Sequence, residues 1–464
     1  MKNLPAVGFI LSTSLLLHVA VRAAELKPFV EVEEDVYTYT NADNGSGPMW
    51  CHGSTCLVRV GQRVFASGLE TIPGVKPLSN CRWMLFERRA HGWERVRVDS
   101  DGRTREPSPL AAFQSGRVFL SANPLLRPED KPNRATTRPE VLEFAASDAT
   151  AAPKLLLPVW PGTPDFEEHS YRSFAADGAA GELILFQNVG YTHAEWTFRD
   201  GHGQWSAQGQ LKWPWGAEYD KPQPVRVCYP NVALRDRAVY FCGVSDVVEP
   251  YQAWRDFKRE LTGREWDYDF RRLFFTWTPD IGNKPFTDWV EIASCDKTAG
   301  SISVGDLYVA DNGDAHLVWR EQAIDERLRA RFFPDAKQRH SLNYAVVRDG
   351  KVIQRRTIEE STEERPGIIG SGARLQITLE QRLFVSYYAG GTDPGGKGVA
   401  ENRVREILRD GSVTPAVRLP LQKAFSQYFT ATVRGGSPPS RILEMLGSRQ
   451  GAANTISYAR VKLY

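Results

Sequence analysis

The feature that most constrains this chain is a hairpin that recurs seven times: a short β-rich strand, a tight turn with Gly, Asp or a polar pair, and a second apolar strand. The hairpins run over residues 57–68 (turn Gly61-Gln62), 109–122 (Ser115-Gly116), 171–187 (Asp177-Gly178) and 231–242 (Asp236). They return at 306–319 (Asp311 to Gly313), 374–388 (Glu380-Gln381) and 428–446 (Gly435-Gly436). Their turns lie roughly 55 to 75 residues apart, which leaves room for four strands and long loops per repeat. Many hairpins are followed by a second pair of strands, at 86–96, 196–208, 344–357 and 405–419. Each unit therefore carries strands A to D. Units of this kind close best around one axis, because radial repetition leaves only short, protected edges. The expected fold is all-β, a seven-bladed β-propeller. A pair of β-sandwich domains also yields many short strands, but the regular A/B hairpin followed by a C/D hairpin favours the propeller.

Residues 29–39 alternate Val30, Val32 and Val36 with acidic residues and are expected to be an N-terminal closing strand that completes the last blade. Two stretches break the pattern. A helical insertion is expected at about 250–272, where Trp254, Phe257 and Leu261 are spaced among charges, and a charged excursion at 325–340. Ahead of the repeats, one Lys, an apolar run over 6–21 and Val21-Arg22-Ala23 have the form of an export signal, with cleavage expected after Ala23. Residues 24–464 are expected to form one propeller domain, secreted or periplasmic. No other segment could cross a bilayer.

The 58 basic residues nearly match the 56 acidic ones, and no basic run stands out, so a nucleic-acid partner is not expected. Aromatic residues, 13 Trp among them, suit both sugar stacking and the contacts between stacked sheets. The chain has 6 cysteines. Cys228 and Cys242, nearly symmetric about the turn at Asp236, are the first candidates for a disulfide, and Cys51 with Cys56 or Cys81 the second. No pair has zinc-knuckle spacing, so no metal is expected. Nothing in the residues points to a particular cofactor. Gly395-Gly396-Lys397-Gly398 lacks a following helix and reads as a turn, not a phosphate loop.

In an antiparallel blade the start of strand A and the loop from B to C lie at one end. The rim defined in this way gathers His52, His169, His193, Tyr229, Asp306, Arg320, Glu321, Gln427 and Arg449. A His acts as acid or base near neutral pH, a Tyr can pass a proton, and an Arg can grip a carboxylate with two parallel hydrogen bonds. Such a set suits acid/base work on an acidic sugar. His169, His193 and Tyr229 are the catalytic candidates. His52, Asp306, Arg320, Tyr171, Arg172 and Arg226 are candidates for substrate binding.

Over residues 168–244 the chain resembles the secreted seven-bladed propellers with sialidase-like (BNR-type) repeats, a group that includes ulvan lyases, rhamnose-glucuronate lyases and an α-L-rhamnosidase family. Those lyases carry His-Asn-Tyr at the start of one A strand, a second His after its B strand, and Tyr-Pro followed by an Arg at the end of the next B strand. Here the corresponding residues are His169-Ser170-Tyr171, His193 and Tyr229-Pro230. The resemblance implies that Tyr229 transfers the proton while His169 and His193 neutralise charge or shuttle protons. It implies a polysaccharide lyase that acts by β-elimination on a uronic-acid-containing glycan; the protein is expected to be a monomer. The chain departs from the pattern at Cys242-Gly243-Val244-Ser245, where those lyases have an Arg. Arg172 and Arg226 are the candidates to replace it. His52 is the loose counterpart of the single His that the rhamnosidase relatives use. A glycoside hydrolase on the same rim and a noncatalytic glycan-binding propeller are the other two readings.

Overall fold

Leu183-Ile184-Leu185-Phe186 shows how this sequence makes its core. Leu183 and Leu185 pack on one neighbouring sheet, against Phe113 and Phe119, while Ile184 and Phe186 pack on the other, against Val232 and Phe241. A strand buried on both faces reads as a continuous apolar run, and sheets stacked face to face around an axis need such strands. The computed structural model describes residues 26–51, 53–100, 102–126, 136–164, 166–167, 171–393 and 395–464. The export segment, His52 and His169 lie outside the described residues.

Seven four-stranded antiparallel sheets are arranged as the blades of a propeller. Their A strands are Leu57–Val60, Leu110–Phe113, Arg172–Asp177, Val227–Arg235, Ala299–Val309, Ile368–Ile377 and Phe425–Thr430, for blades 1 to 7 in order. Each A strand touches the A strands of the adjacent blades, so these strands form the innermost ring. The seven principal apolar clusters among the described residues each lie between two adjacent blades. Two sandwiches would have concentrated the core between two pairs of sheets. The outermost strand of blade 7 is Phe29–Thr38, paired antiparallel with Thr455–Lys462, so both ends of the described chain share one sheet and close the ring. Asp236 and Arg237, both at positive φ, form the tight turn of blade 4, and Asp349 and Gly350 do the same on the outer hairpin of blade 5.

Two helices interrupt the blades. Helix α1 (Gln252–Thr262) lies between strands B and C of blade 4, and helix α2 (Glu326–Phe332) between strands B and C of blade 5. Neither is long and apolar enough to cross a membrane. The six cysteines are free thiols. The pairing expected for Cys228 and Cys242 fails on register, because Cys228 lies opposite Val244 and Cys242 opposite Asn231. Two residues, Tyr229 and Pro230, bulge out of strand A between Cys228 and Asn231 and set the two thiols out of step.

The axis is plugged. Arg434, from the A–B loop of blade 7, donates to the Asp306 carboxylate at 2.8 Å and to the Gly53 carbonyl at 2.6 Å. The other Asp306 oxygen accepts the Leu375 N–H at 3.0 Å. Gly53 belongs to a strap, residues 49–51 and 53–55, that lies on the face where the A strands begin. A Cβ built on Gly53 would lie 2.0 Å from the Pro230 carbonyl oxygen, so only glycine fits there.

Candidate functional site

Two cavities on the A-strand face border the strap. The narrow one, of about 20 Å³, is lined by Trp50, Cys51, Glu106, Tyr171, Arg172 and Tyr229 with the neighbouring backbone of Gly53, Pro107 and Pro230. The wide one, of about 270 Å³, lies between blades 5, 6 and 7 and is bounded by Met49.

Tyr229 is the centre of the narrow cavity. Its backbone is in the left-handed region at φ 50°, at the bulge between Cys228 and Asn231. A bulge of this kind re-aims a side chain, and the conformation is tolerated only because its surroundings fix it. Here the fixing contacts are the Ser173 hydroxyl, which donates to the Pro230 carbonyl at 2.8 Å, and the strap pressed against Pro230. The ring packs edge-on with Tyr171 at 5.1 Å and Trp50 at 6.1 Å, and against Phe270 at 5.8 Å. Burial drives the Tyr229 hydroxyl well above the usual tyrosine range, and a hydrogen bond from Tyr171 only partly opposes it. The negative charges of Asp246 and Glu106 push it further up. Tyr229 is therefore protonated at neutral pH, a donor at rest and a poor base.

Both arginines expected to stand in for the missing one are committed. Arg226 pairs with Asp246 at 2.7 Å, and its guanidinium lies 5.2 Å from the centre of the Tyr171 ring, 3.9 Å from Tyr191 and 5.7 Å from Tyr268. Burial opposes its charge, but Cys228, Asp246 and the tyrosines outweigh burial and hold it above the ordinary value. Arg172 is buried and donates to the carbonyls of Pro107 at 2.9 Å and Ser121 at 3.3 Å, with the Glu106 carboxylate near enough to favour its charge. Neither is free to grip a substrate carboxylate.

The remaining candidates divide clearly. His193 opens the C strand of blade 3 (His193–Arg199), where its ring nitrogens engage the Thr192 hydroxyl at 2.7 Å and the Glu195 carboxylate at 3.1 Å. It is not among the residues that line the Tyr229 cavity, which corrects the expectation that the two share a pocket. The reason is that strand C stands two strands out from the axis. Asp306 is not on the rim surface but in the axial plug. Glu321 is held by Arg339, Arg355 and the Trp319 indole, and Arg449 by Glu33 and Asp35, so both are structural. Arg320 and Gln427 line the wide cavity.

Two residues that line the narrow cavity, Trp50 and Glu106, and the Arg226 partner Asp246 were not singled out from the sequence. The rule that picked the rim covers two of them: Glu106 leads into strand A of blade 2, and Asp246 directly follows strand B of blade 4. Trp50 carries no such signal, because the path of the strap is set by contacts with Arg434 and Pro230, distant in sequence.

No family model matches the chain, and no curated protein matches it. Among solved structures it is similar to an α-L-arabinanase of Penicillium chrysogenum complexed with arabinobiose, at 9% identity and TM-score 0.41, covering 76% of this chain and 92% of that one. A mutant apocarotenoid oxygenase of Synechocystis gives 10% and 0.42, covering 91% and 87%. The β-propeller domain of the Trilobed protease from Pyrococcus furiosus gives 8% and 0.40, covering 84% and 90%. The three proteins differ in what they do.

Proposed function

We propose that this protein is a carbohydrate-active enzyme that cleaves a glycosidic bond at the Tyr229 cavity, and that the reaction is hydrolysis. The observation that carries this reading is the pairing of a carboxylate, Glu106, with the Tyr229 hydroxyl in one cavity where every described arginine is already engaged. Elimination across a uronate needs a base next to the acidic carbon and a free cation on the carboxylate; Tyr229 is held protonated, and among the described residues the one cation lining the cavity, Arg172, is bound to carbonyls. Hydrolysis needs less. Water attacks the anomeric carbon as Glu106 takes its proton, the glycosidic C–O bond breaks, and the departing oxygen takes a proton from Tyr229; the proton held by Glu106 then returns to Tyr229, so that both groups are restored and no tyrosinate persists. The cavity has room for about one water, and a sugar would lie across its mouth.

Elimination on a uronic-acid-containing glycan is the second reading. It is favoured by the order His169, Tyr171, His193, Tyr229-Pro230 and by the guanidinium of Arg226 over the Tyr171 ring. Export through residues 1–23 and action as a monomer belong to either.

The test is a panel of plant and algal polysaccharides, followed by new reducing ends and by ultraviolet absorbance from unsaturated uronate. Hydrolysis gives reducing ends without absorbance, and Tyr229→Phe and Glu106→Gln each lower the rate by about 10² to 10⁴-fold while the fold is kept. Absorbance appearing with the reducing ends would replace hydrolysis with elimination. Binding without either product would leave a glycan-binding propeller.

A further inference from the structure

The wide cavity is lined by two arginines, Arg320 and Arg374. Three arginines elsewhere on this face have acids beside them, Arg226 with Asp246, Arg434 with Asp306, and Arg449 with Glu33 and Asp35, and Arg172 is bound to two carbonyls. Arg320 differs. It lies on strand B of blade 5 (Ala315–Ile324), on the side facing blade 6, and among the described residues it has no carboxylate partner. Its one polar contact is to the His340 ring at 3.5 Å, and its Nε is buried without a partner. Burial alone pulls its guanidinium below the ordinary value, with no acid nearby to restore it, and both burial and the Arg320 charge keep His340 neutral.

The cavity walls reinforce that imbalance. Among the described residues no Asp or Glu lines the cavity. A second cation, Arg374, borders it, with Nε donating to the Tyr428 carbonyl and Nη1 to the carbonyls of Ala373 and Gly305, and it adds positive potential. The side chains of Ser303, Ser371 and Gln427 reach the same cavity. Ser303 and Ser371 make no side-chain hydrogen bond among the described residues, and each comes from the first half of an A strand. A half-buried cation without a counter-ion is costly unless something pairs with it. Hydroxyl and amide donors around it define what that partner is: an anionic group of a polar ligand, small enough for about 270 Å³.

We propose that the cavity between blades 5, 6 and 7 is an anion subsite, in which Arg320 receives a carboxylate or sulfate group carried on a sugar while Ser303, Ser371 and Gln427 bind the sugar hydroxyls. The glycan part of this inference rests on the function proposed above; the anion part does not. Met49 and Trp50 are adjacent in the strap and border the wide and narrow cavities respectively. A glycan crossing the strap would place its charge one subsite away from the bond broken at Tyr229. The acidic group would be read for specificity and would take no part in the chemistry.

The experiment measures binding by calorimetry of glucuronic acid, glucose 6-sulfate and glucose to the full protein, with Tyr229→Phe, Arg320→Gln and Arg320→Lys alongside. At least one charged sugar is expected to bind about tenfold or more tightly than glucose, with affinity falling as salt rises. Arg320→Gln should lose that preference, Arg320→Lys should keep part of it, and Tyr229→Phe should leave it unchanged. If glucuronic acid alone gains, the group is a carboxylate; if the sulfated sugar alone gains, a sulfate; if both, the site takes either. Equal binding of glucose and both charged sugars overturns the proposal, as does an unchanged preference in a folded Arg320→Gln. Cleavage with no anion preference would sink this inference and leave the function standing; anion preference with no cleavage of any glycan would do the reverse.

Discussion

The two cavities on the A-strand face border one strap and could hardly be more different. The narrow side is satisfied: Arg226 has Asp246, Arg172 has two carbonyls, and Tyr229 has Tyr171. Among the described residues, the wide side holds an arginine with no acid and two serines, Ser303 and Ser371, whose hydroxyls have no partner. Interactions already made inside the protein fix geometry, whereas those left unmade await a ligand. The contrast therefore divides labour between chemistry at Tyr229 and recognition at Arg320.

The largest effect expected from breaking this division is at the plug beneath the strap. Arg434 and Asp306 are both almost fully buried, and Arg434 also holds the Gly53 carbonyl. Asp306→Ala leaves a buried guanidinium without its partner and should destabilise the fold by about 3 to 5 kcal/mol. Urea unfolding followed by tryptophan fluorescence reads this directly, and both cavities should fail together. A loss below about 1 kcal/mol would mean that the plug is solvated and that the strap is held by something else.

A smaller effect should separate the cavities. Gly53→Ala puts a methyl group 2.0 Å from the Pro230 carbonyl oxygen, and because both sides of that contact are backbone, the strap must lift. Overpacking of this kind costs about 1 to 3 kcal/mol. The displaced segment is the one that seats Trp50 against Tyr229, so cleavage should fall while the anion preference at Arg320 persists. An equal fall in both would show that the strap moves as one rigid piece and that the cavities are not independent.

How much of this was legible in the sequence follows from the range of the interactions involved. The seven hairpins could be read because each depends on neighbours: turn residues such as Gly61 and Asp236 at positive φ, flanked by runs such as 183–186 that must be apolar on both faces. The closing strand was legible for the same reason, in the spacing of Val30, Val32 and Val36. Tyr229 was found from its place at the start of an A strand, and the structure adds that it sits in a bulge, which no local pattern announced. What stayed hidden depends on residues far apart. Arg434 meets Gly53 and Asp306 across the axis, and whether Arg320 has a partner is decided by strands that no spacing rule brings together.

The smallest expected effect concerns His193, the candidate that the structure sets apart from the Tyr229 cavity. Its ring is tied within its own blade to Thr192 and Glu195, on a strand two positions out from the axis, and it lines neither cavity. A partly exposed residue away from the chemistry typically changes stability by no more than about 0.5 kcal/mol, and a matching change in activation free energy would be about twofold in rate. His193→Gln keeps a polar side chain near Glu195, so the C strand of blade 3 should hold. Steady-state rates on whichever glycan the panel identifies, for this variant beside Tyr229→Phe, make the comparison. If His193→Gln falls by a hundredfold or more with its fold intact, the site extends outward along blade 3. The narrow cavity would then be the inner end of a longer groove, and the division of labour between its two sides would have to be redrawn.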